Sequence, residues 1–450
     1  MDPITSEILQ RRIEVLNQEH AVVMIGGKCC ILNEVIDPDF GRPDITLSSP
    51  NDFRNRYLNE RLMLEDGPKK SRSIADLWLQ SKERRQYQGI GMFPGRNVPG
   101  FYNLFRGLAV KPKPGRWDMF REHIHEVLCN SDEQADTWLM NWLALIVQSI
   151  MRGSYERTEV AVVLRGGRGA GKGTFARAYG SIFGPHFQHI TNPTQFLGRF
   201  NQHLKDCLLL FADEAFWAGD KVGEGVLKGL ITEPTIRVEP KGKDSFEVRN
   251  HANIIIASNN DWVVPAGLDE RRFMVLDVND FHLQDHTYFR ALRAEMEKGG
   301  IAAMLYDLLQ MDLEGVNLRA VPQTAGLFEQ KLLSADTVTK WWHSRLEEGC
   351  QLKSEGVWTS YEETQTLYIQ YAEYAKLTSH RYVEDERIFS RKLRGLCLHK
   401  GDDAPGIIGP RRPIIGGKRA RVLIFPALSE SRRRFEEAVG FQVQWSRDDE

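Results

Sequence analysis

The chain has 450 residues, 42% hydrophobic and 27% charged, which is ordinary globular material and enough for about three domains. A net charge of −2 excludes a globally basic surface, so any nucleic-acid contact must come from a local patch. The six cysteines (Cys29, Cys30, Cys129, Cys207, Cys350, Cys397) show no C-x-x-C spacing and read as free thiols of a reducing cytoplasm, and no apolar run approaches the roughly 18 residues of a membrane span.

The first 88 residues predict an α+β unit. Ile8, Leu9, Ile13, Val15 and Leu16 among charges predict a helix over 5–18. Two apolar runs, 21–25 and 29–32, flank Gly26-Gly27-Lys28 and predict a hairpin. Helices are expected over 53–64 and 71–80. Asp37 and Asp39, on either side of Pro38, read as solvated acids of a turn rather than a metal pair. Residues 89–116 are dense in Gly and Pro and form a connector. Amphipathic helices follow over 117–128 and through the stripe Trp138, Leu139, Trp142, Leu143, Ile146 and Ile150. Ser131 with Gln134 has the spacing of a capping box for the second helix. His123 and His125 read as surface or packing residues. Residues 89–155 together predict a connector and helical collar.

The unit over 156–335 carries the chemistry. The apolar run 160–164 leads into Gly166-Gly167-Arg168-Gly169-Ala170-Gly171-Lys172-Gly173-Thr174, and a helix pattern follows. Strand, glycine-rich turn and helix N-terminus make an anion cradle, because backbone N–H groups and the helix dipole face the same point. Gly166, Gly171 and Lys172 stand at the P-loop positions G-x-x-x-x-G-K; Gly167, Gly169, Gly173 and Thr174 complete the loop. Gly173 stands where a Ser or Thr usually gives its hydroxyl to Mg²⁺, and Thr174 offers one a residue later. Adenylate kinases carry a similar Gly-Lys-Gly-Thr, which keeps a nucleotide kinase open as an alternative.

Leu208 to Ala212 predicts a buried strand that delivers Asp213 and Glu214, 41 residues after Lys172. This is the Walker B pattern: Asp213 for the Mg²⁺ shell, Glu214 to orient and deprotonate an attacking water. A water-activating acid favours hydrolysis over phosphate transfer. Residues 236–239 and 246–249 alternate like two strands, with Lys241 and Lys243 at the turn between them. Asn253 to Ser258 predicts another buried strand, tipped by Asn259, whose amide suits a γ-phosphate or attacking water. Glu270-Arg271-Arg272-Phe273 opens a further strand over 273–277. Paired arginines there suit a finger reaching a neighbour's γ-phosphate, with a lean toward Arg272.

Over 340–450, aromatic-bearing helix 359–377, helix 386–397 and strand 421–425 predict a winged-helix unit. Residues 381–434 hold fourteen Lys/Arg against six Asp/Glu, a basic patch suited to DNA phosphates. Its candidate contacts include Arg391, Lys392, Arg394, Lys418 and Arg419.

Taken in order, Gly-Lys-Gly-Thr, Phe-Ala-Asp-Glu, the lysine-tipped hairpin, Ala-Ser-Asn-Asn and Glu-Arg-Arg-Phe resemble the superfamily-3 helicases, and within them the phage and prophage primase–helicases. The resemblance is good over about 100–290. It implies an α/β AAA+ core with a five-stranded parallel sheet, the amide-tipped strand between the P-loop and Walker B strands. It implies ATP and Mg²⁺, a ring that is usually a hexamer, Arg271 or Arg272 acting in trans, and Lys241 and Lys243 gripping single-stranded DNA in the channel. Expected partners are single-stranded and forked DNA and a separate primase or polymerase, in the cytoplasm of a bacterial host. A DNA-binding or remodelling ATPase that never unwinds, including one with a defence role, stays open beside the helicase reading.

Overall fold

The computed structural model describes residues 3–38, 41, 43–63, 71–192, 201–214, 221–239, 246–268, 270–352, 356–378, 383–397, 414–415, 418–419 and 421–445. At its centre lies a five-stranded parallel sheet in the order 187–190, 209–213, 253–258, 161–165, 273–277. All but the edge segment 187–190 are near-continuous apolar runs because both faces of the sheet are covered there. Alternation decides the face. Val162, Leu164, Leu209, Phe211, Ile255, Ala257, Met274 and Leu276 share one cluster with helices Glu133–Met151 and Lys172–Gly180. Ala161, Val163, Leu210, Ala212, Ile254, Ile256, Phe273 and Val275 share another with helix Lys221–Thr232 and Leu327. The strand tipped by Asn259 lies between the P-loop strand and the acid-tipped strand. Asp213 pairs with Ala257, and Ser258 with Arg165, so the three carboxyl ends share one edge. Open parallel sheets bind ligands outside that edge.

The collar helix packs Trp142 against the sheet layer, where its indole N–H donates to Val160 O at 2.9 Å. Its cap differs from the expected one. Asp132 accepts from the backbone N–H of Gln134 and Ala135, while Ser131 sits at φ +59° in the turn before it. The preceding helix, Asp118–Glu122, continues as a π-helical stretch, His123–Leu128.

The N-terminal unit is a sheet in the order 43–48, 28–36, 20–25, 86–87, packed on helix Pro3–Glu19. The expected hairpin is present and gains a third antiparallel strand. The helix expected over 53–64 is shorter, Pro50–Arg56, and Arg61–Met63 instead pairs with Ser71–Ser73 before helix Ile74–Gln80. Pro50 at the start and the Ser49–Asp52 capping box set its beginning. The C-terminal unit runs helix Thr337–Glu348, strand Tyr361–Glu363, helix Thr364–Thr378, helix Glu386–Cys397 and strand Val422–Ile424. The two strands pair antiparallel, the connectivity of a winged helix, around Trp341, Trp342, Tyr371 and Phe389. No helix among the described residues is long and apolar enough to cross a membrane.

Three buried histidines tie stability to pH. Burial lowers the pKa of His123, His186 and His251, each to about 4. Nε2 of His186 accepts from the backbone N–H of Arg106 at 2.9 Å, so Nδ1 carries the proton donated to Asp206 O. The folded chain holds these rings neutral while the unfolded chain protonates them near pH 6.5. Their contribution is therefore complete above about pH 6.5 and is lost as pH falls toward 4, by up to about 1.4 kcal/mol per pH unit for each ring. Urea midpoints at pH 7 and pH 5 should differ accordingly, and replacing His251 by Gln should shrink the difference.

Candidate functional site

The P-loop is built by close packing. Gly171 sits at φ +98° directly before the helix. A Cβ there would lie 2.4 Å from His123 Cε1 and 2.9 Å from Phe289 Cε1, so both conformation and space require glycine. His123 thus supports the loop from below, as a packing residue: it is fully buried and its Nδ1 shares a 3.1 Å hydrogen bond with the Tyr288 hydroxyl. Lys172 Nζ donates to Gly166 O (2.5 Å), Gly167 O (2.9 Å) and Asn259 Oδ1 (2.9 Å). Burial lowers its pKa, opposed by the nearby Glu214 and Asp213 charges. The ammonium is held in the mouth of the cradle by neutral oxygens, which phosphate oxygens can replace.

The acid pair is arranged asymmetrically. Glu214 adopts φ +54°, a strained conformation for a residue with a Cβ, and its N–H donates to Ala257 O at 3.0 Å. Its carboxylate accepts from the Asn259 backbone N–H at 2.8 Å and the Ser258 hydroxyl at 3.2 Å. Asp213 instead faces the neighbouring edge strand, where His189 Nε2 lies 3.3 Å away and the His189 ring stacks on Phe211 at 4.8 Å. A cleft of ≈ 550 Å³ brings together Gly169, Gly171, Lys172, Gly173, Thr174, Asp213, Glu214 and Asn259. Gly166 and Gly167 stand just behind, offering the carbonyls to Lys172. Arg168, Arg177, His286 and Arg293 also line the cleft. None of these four, nor His189 or Ser258, was singled out from sequence. Ser258 is one step from Asn259 and was within reach; His189 needs the strand register, which no local pattern gives.

Arg271 and Arg272 stand at the other end of the sheet. Ala161 N donates to Arg272 O at 2.8 Å and Phe273 pairs with Ala161, whereas the P-loop follows Arg165. The length of the intervening strand puts the arginines roughly 15 Å from their own cradle. Arg272 is engaged: its Nη1 contacts Glu270 Oε1 and Oε2 at 3.1 and 3.2 Å, and its Nε is buried. Arg271 is exposed, and its guanidinium has no partner among the described residues. Of the two, Arg272 is thus engaged with Glu270, and Arg271 is the one whose guanidinium is unpaired among the described residues.

The candidate DNA contacts divide. Lys241 and Lys243 lie outside the described residues. Arg391 is exposed on helix Glu386–Cys397, but Lys392 pairs with Glu384 at 2.7 Å, and Arg394 has a buried Nε. Lys418 and Arg419 form a short strand against Ile414–Ile415. Within the same basic segment Arg432 donates to Leu346 O and Arg434 to Cys397 O, while Arg433 pairs with Glu430. The basic count of this segment therefore overstates its free charge. His125, Glu133 and Asp136 gather within 4.8 Å, but both Asp136 oxygens accept from Arg121 at 2.7 and 2.5 Å.

A family described as of unknown function (DUF5906) matches residues 164–272, the span from the P-loop strand to Arg272. The DNA primase-polymerase of Nitratiruptor phage NrS-1 is 30% identical over 187 residues, 40% of this chain and 25% of that protein. The chain thus matches about a quarter of the length of that relative. The apo structure of the NrS-1 C-terminal region aligns with a TM-score of 0.62 at 17% identity, covering 93% of this chain and 99% of the other. An A-form apo structure of that region gives 0.63 at 16% identity, over 92% and 98%. The two chains share a fold along nearly their whole length.

Proposed function

We propose that this chain is an ATP-driven DNA helicase of superfamily-3 type that serves the replication of a phage or related mobile element. The observation that carries the reading is the gathering of Lys172, Asp213, Glu214 and Asn259 at one cleft, with Arg271 about a strand length away at the opposite end of the sheet. A finger that cannot reach its own cradle suits a neighbour's, so ATP binds between subunits of a ring, taken to be a hexamer. Thr174 and Asp213 offer oxygen ligands suited to Mg²⁺. The bound ion would neutralise charge on the β- and γ-phosphate oxygens. Lys172 binds those phosphates, Asn259 and Glu214 orient the water, and Glu214 accepts its proton. Arg271 supplies charge to the transferring phosphoryl group across the interface. Similarity to a phage primase-polymerase over a quarter of its length supports a replication setting in a bacterial host. Single-stranded and forked DNA are the proposed partners, gripped by Lys241 and Lys243, with Arg391, Arg394, Lys418 and Arg419 contributing outside the channel. The ion pairs of Lys392, Arg433 and Arg434, and the hold of Arg432 on the Leu346 carbonyl, favour, as the second reading, a ring ATPase that does not unwind.

A forked-duplex unwinding assay separates the two. Lys241→Ala with Lys243→Ala should keep basal ATPase and assembly close to wild type while unwinding fails. Each lost phosphate contact should lower the slope of log affinity against log salt by roughly 0.7 for a single strand. Unwinding at the wild-type rate by the double variant would remove the hairpin from the mechanism. Absence of unwinding by the wild-type ring would leave the ATPase reading.

A further inference from the structure

The cleft holds a cation that the phosphate-binding reading does not use. Arg177 lies one turn beyond Gly173 on the P-loop helix, and its guanidinium folds back over that glycine. A Cβ on Gly173 would lie 2.9 Å from Nη1, 3.1 Å from Nη2 and 3.2 Å from Cζ of Arg177. Gly173 has an ordinary helical backbone, so no conformational demand makes it glycine. Glycine in a helix sacrifices stability relative to alanine, which asks for a compensating reason at this position. Among the described residues no carboxylate or carbonyl partners the Arg177 guanidinium, although its side chain reaches the cleft that Asp213 and Glu214 line. Arg177 is exposed at the cleft and paired with neither acid among the described residues, so its guanidinium is open to an anion bound there.

The commoner loop puts a Ser or Thr hydroxyl at position 173, directed at the Mg²⁺ between the β- and γ-phosphates. Here the guanidinium occupies the space beside that position. A planar fork of N–H donors matches phosphate oxygens well and carries a fixed positive charge. We propose that Arg177 is a second phosphate-binding cation, directed at the β-phosphate, and that residue 173 is glycine to admit it. The proposal rests on the P-loop reading of this cleft and adds a ligand contact to it.

The test is binding of ATP, ADP and AMP to the full chain, with Mg²⁺ and with EDTA. Arg177→Ala should weaken ADP and ATP about 10- to 100-fold, the range for a charge-assisted contact, and leave AMP, which lacks the β-phosphate, nearly unchanged. The loss should be greater in EDTA, where no metal shares the charge. Arg177→Lys should recover part of the affinity. Gly173→Ala adds only a methyl group and should act in the same direction by displacing the guanidinium. Combined with Arg177→Ala it should add nothing, because both changes remove one contact. Lys172→Ala separates loss of the whole cradle from loss of the Arg177 contact. If it abolishes ADP binding while Arg177→Ala and Gly173→Ala bind like wild type, Arg177 is not a phosphate ligand and the P-loop stands. If Lys172→Ala also binds like wild type, both readings fall. Equal losses for AMP and ADP on Arg177→Ala would overturn the β-phosphate assignment.

Discussion

Glu214→Gln should leave ATP bound and slow its hydrolysis by at least about 10²-fold, the range for a lost general base. The amide is nearly isosteric with the carboxylate and can still accept from the Asn259 N–H, which the native carboxylate holds at 2.8 Å. The strained turn at residue 214 and its hydrogen bond to Ala257 are backbone features that the substitution leaves alone. What disappears is the basicity. Phosphate release should therefore collapse while labelled ATP is retained on the protein. Substituting Ser258 by Ala removes one of the two groups that hold the carboxylate against the amide-tipped strand, at 3.2 Å, without touching the base itself. Its turnover should change far less than that of Glu214→Gln. Wild-type turnover by Glu214→Gln would mean that another group activates the water.

The reach of the sequence can be traced through the same residues. Apolar runs flanked by chemistry-bearing tips identified Asp213, Glu214 and Asn259, because a strand buried on both faces leaves few polar positions and puts them at its ends. The order of the central sheet followed from the resemblance and agrees with the pairing of Asp213 with Ala257 and Ser258 with Arg165. What local patterns miss is lateral placement. His189 meets Asp213 only because two strands pair in one register, and Arg177 covers Gly173 only because a long side chain folds back along its helix. Charge counting failed differently at 381–434. It counted Arg432 and Arg434 as surface charge, whereas their guanidinium groups are buried on the carbonyls of Leu346 and Cys397. Turn chemistry also decided the N-terminal region: the helix expected over 53–64 stops at Arg56, and the following residues pair with 71–73.

The arginine pair gives the other large effect, and its two members should separate. Glu270 is buried, with its side chain 3% exposed, and it accepts from the backbone N–H groups of Arg271 and Arg272 as well as from the Arg272 guanidinium. Arg272→Ala would strip the carboxylate of its main cationic partner, leaving Lys228 at 3.6 Å and two backbone donors. Breaking a fully buried pair costs about 3–5 kcal/mol; Arg272 is partly solvated and other donors remain, so about 1–2 kcal/mol is expected, read as a lower urea midpoint. Arg271→Ala removes an exposed side chain that has no partner among the described residues, and its stability should stay within about 0.5 kcal/mol of wild type. Its turnover should nevertheless fall by about 10³-fold, since a finger stabilises transition-state charge far more than bound substrate. Nucleotide binding by a single subunit should barely change. Mixing Arg271→Ala with Lys172→Ala subunits should restore part of the activity, because some interfaces then join an intact cradle to an intact finger. Stable mixed rings that show no recovery would rule out action across the interface. A turnover loss confined to Arg272→Ala, with its stability unchanged, would return the finger to Arg272.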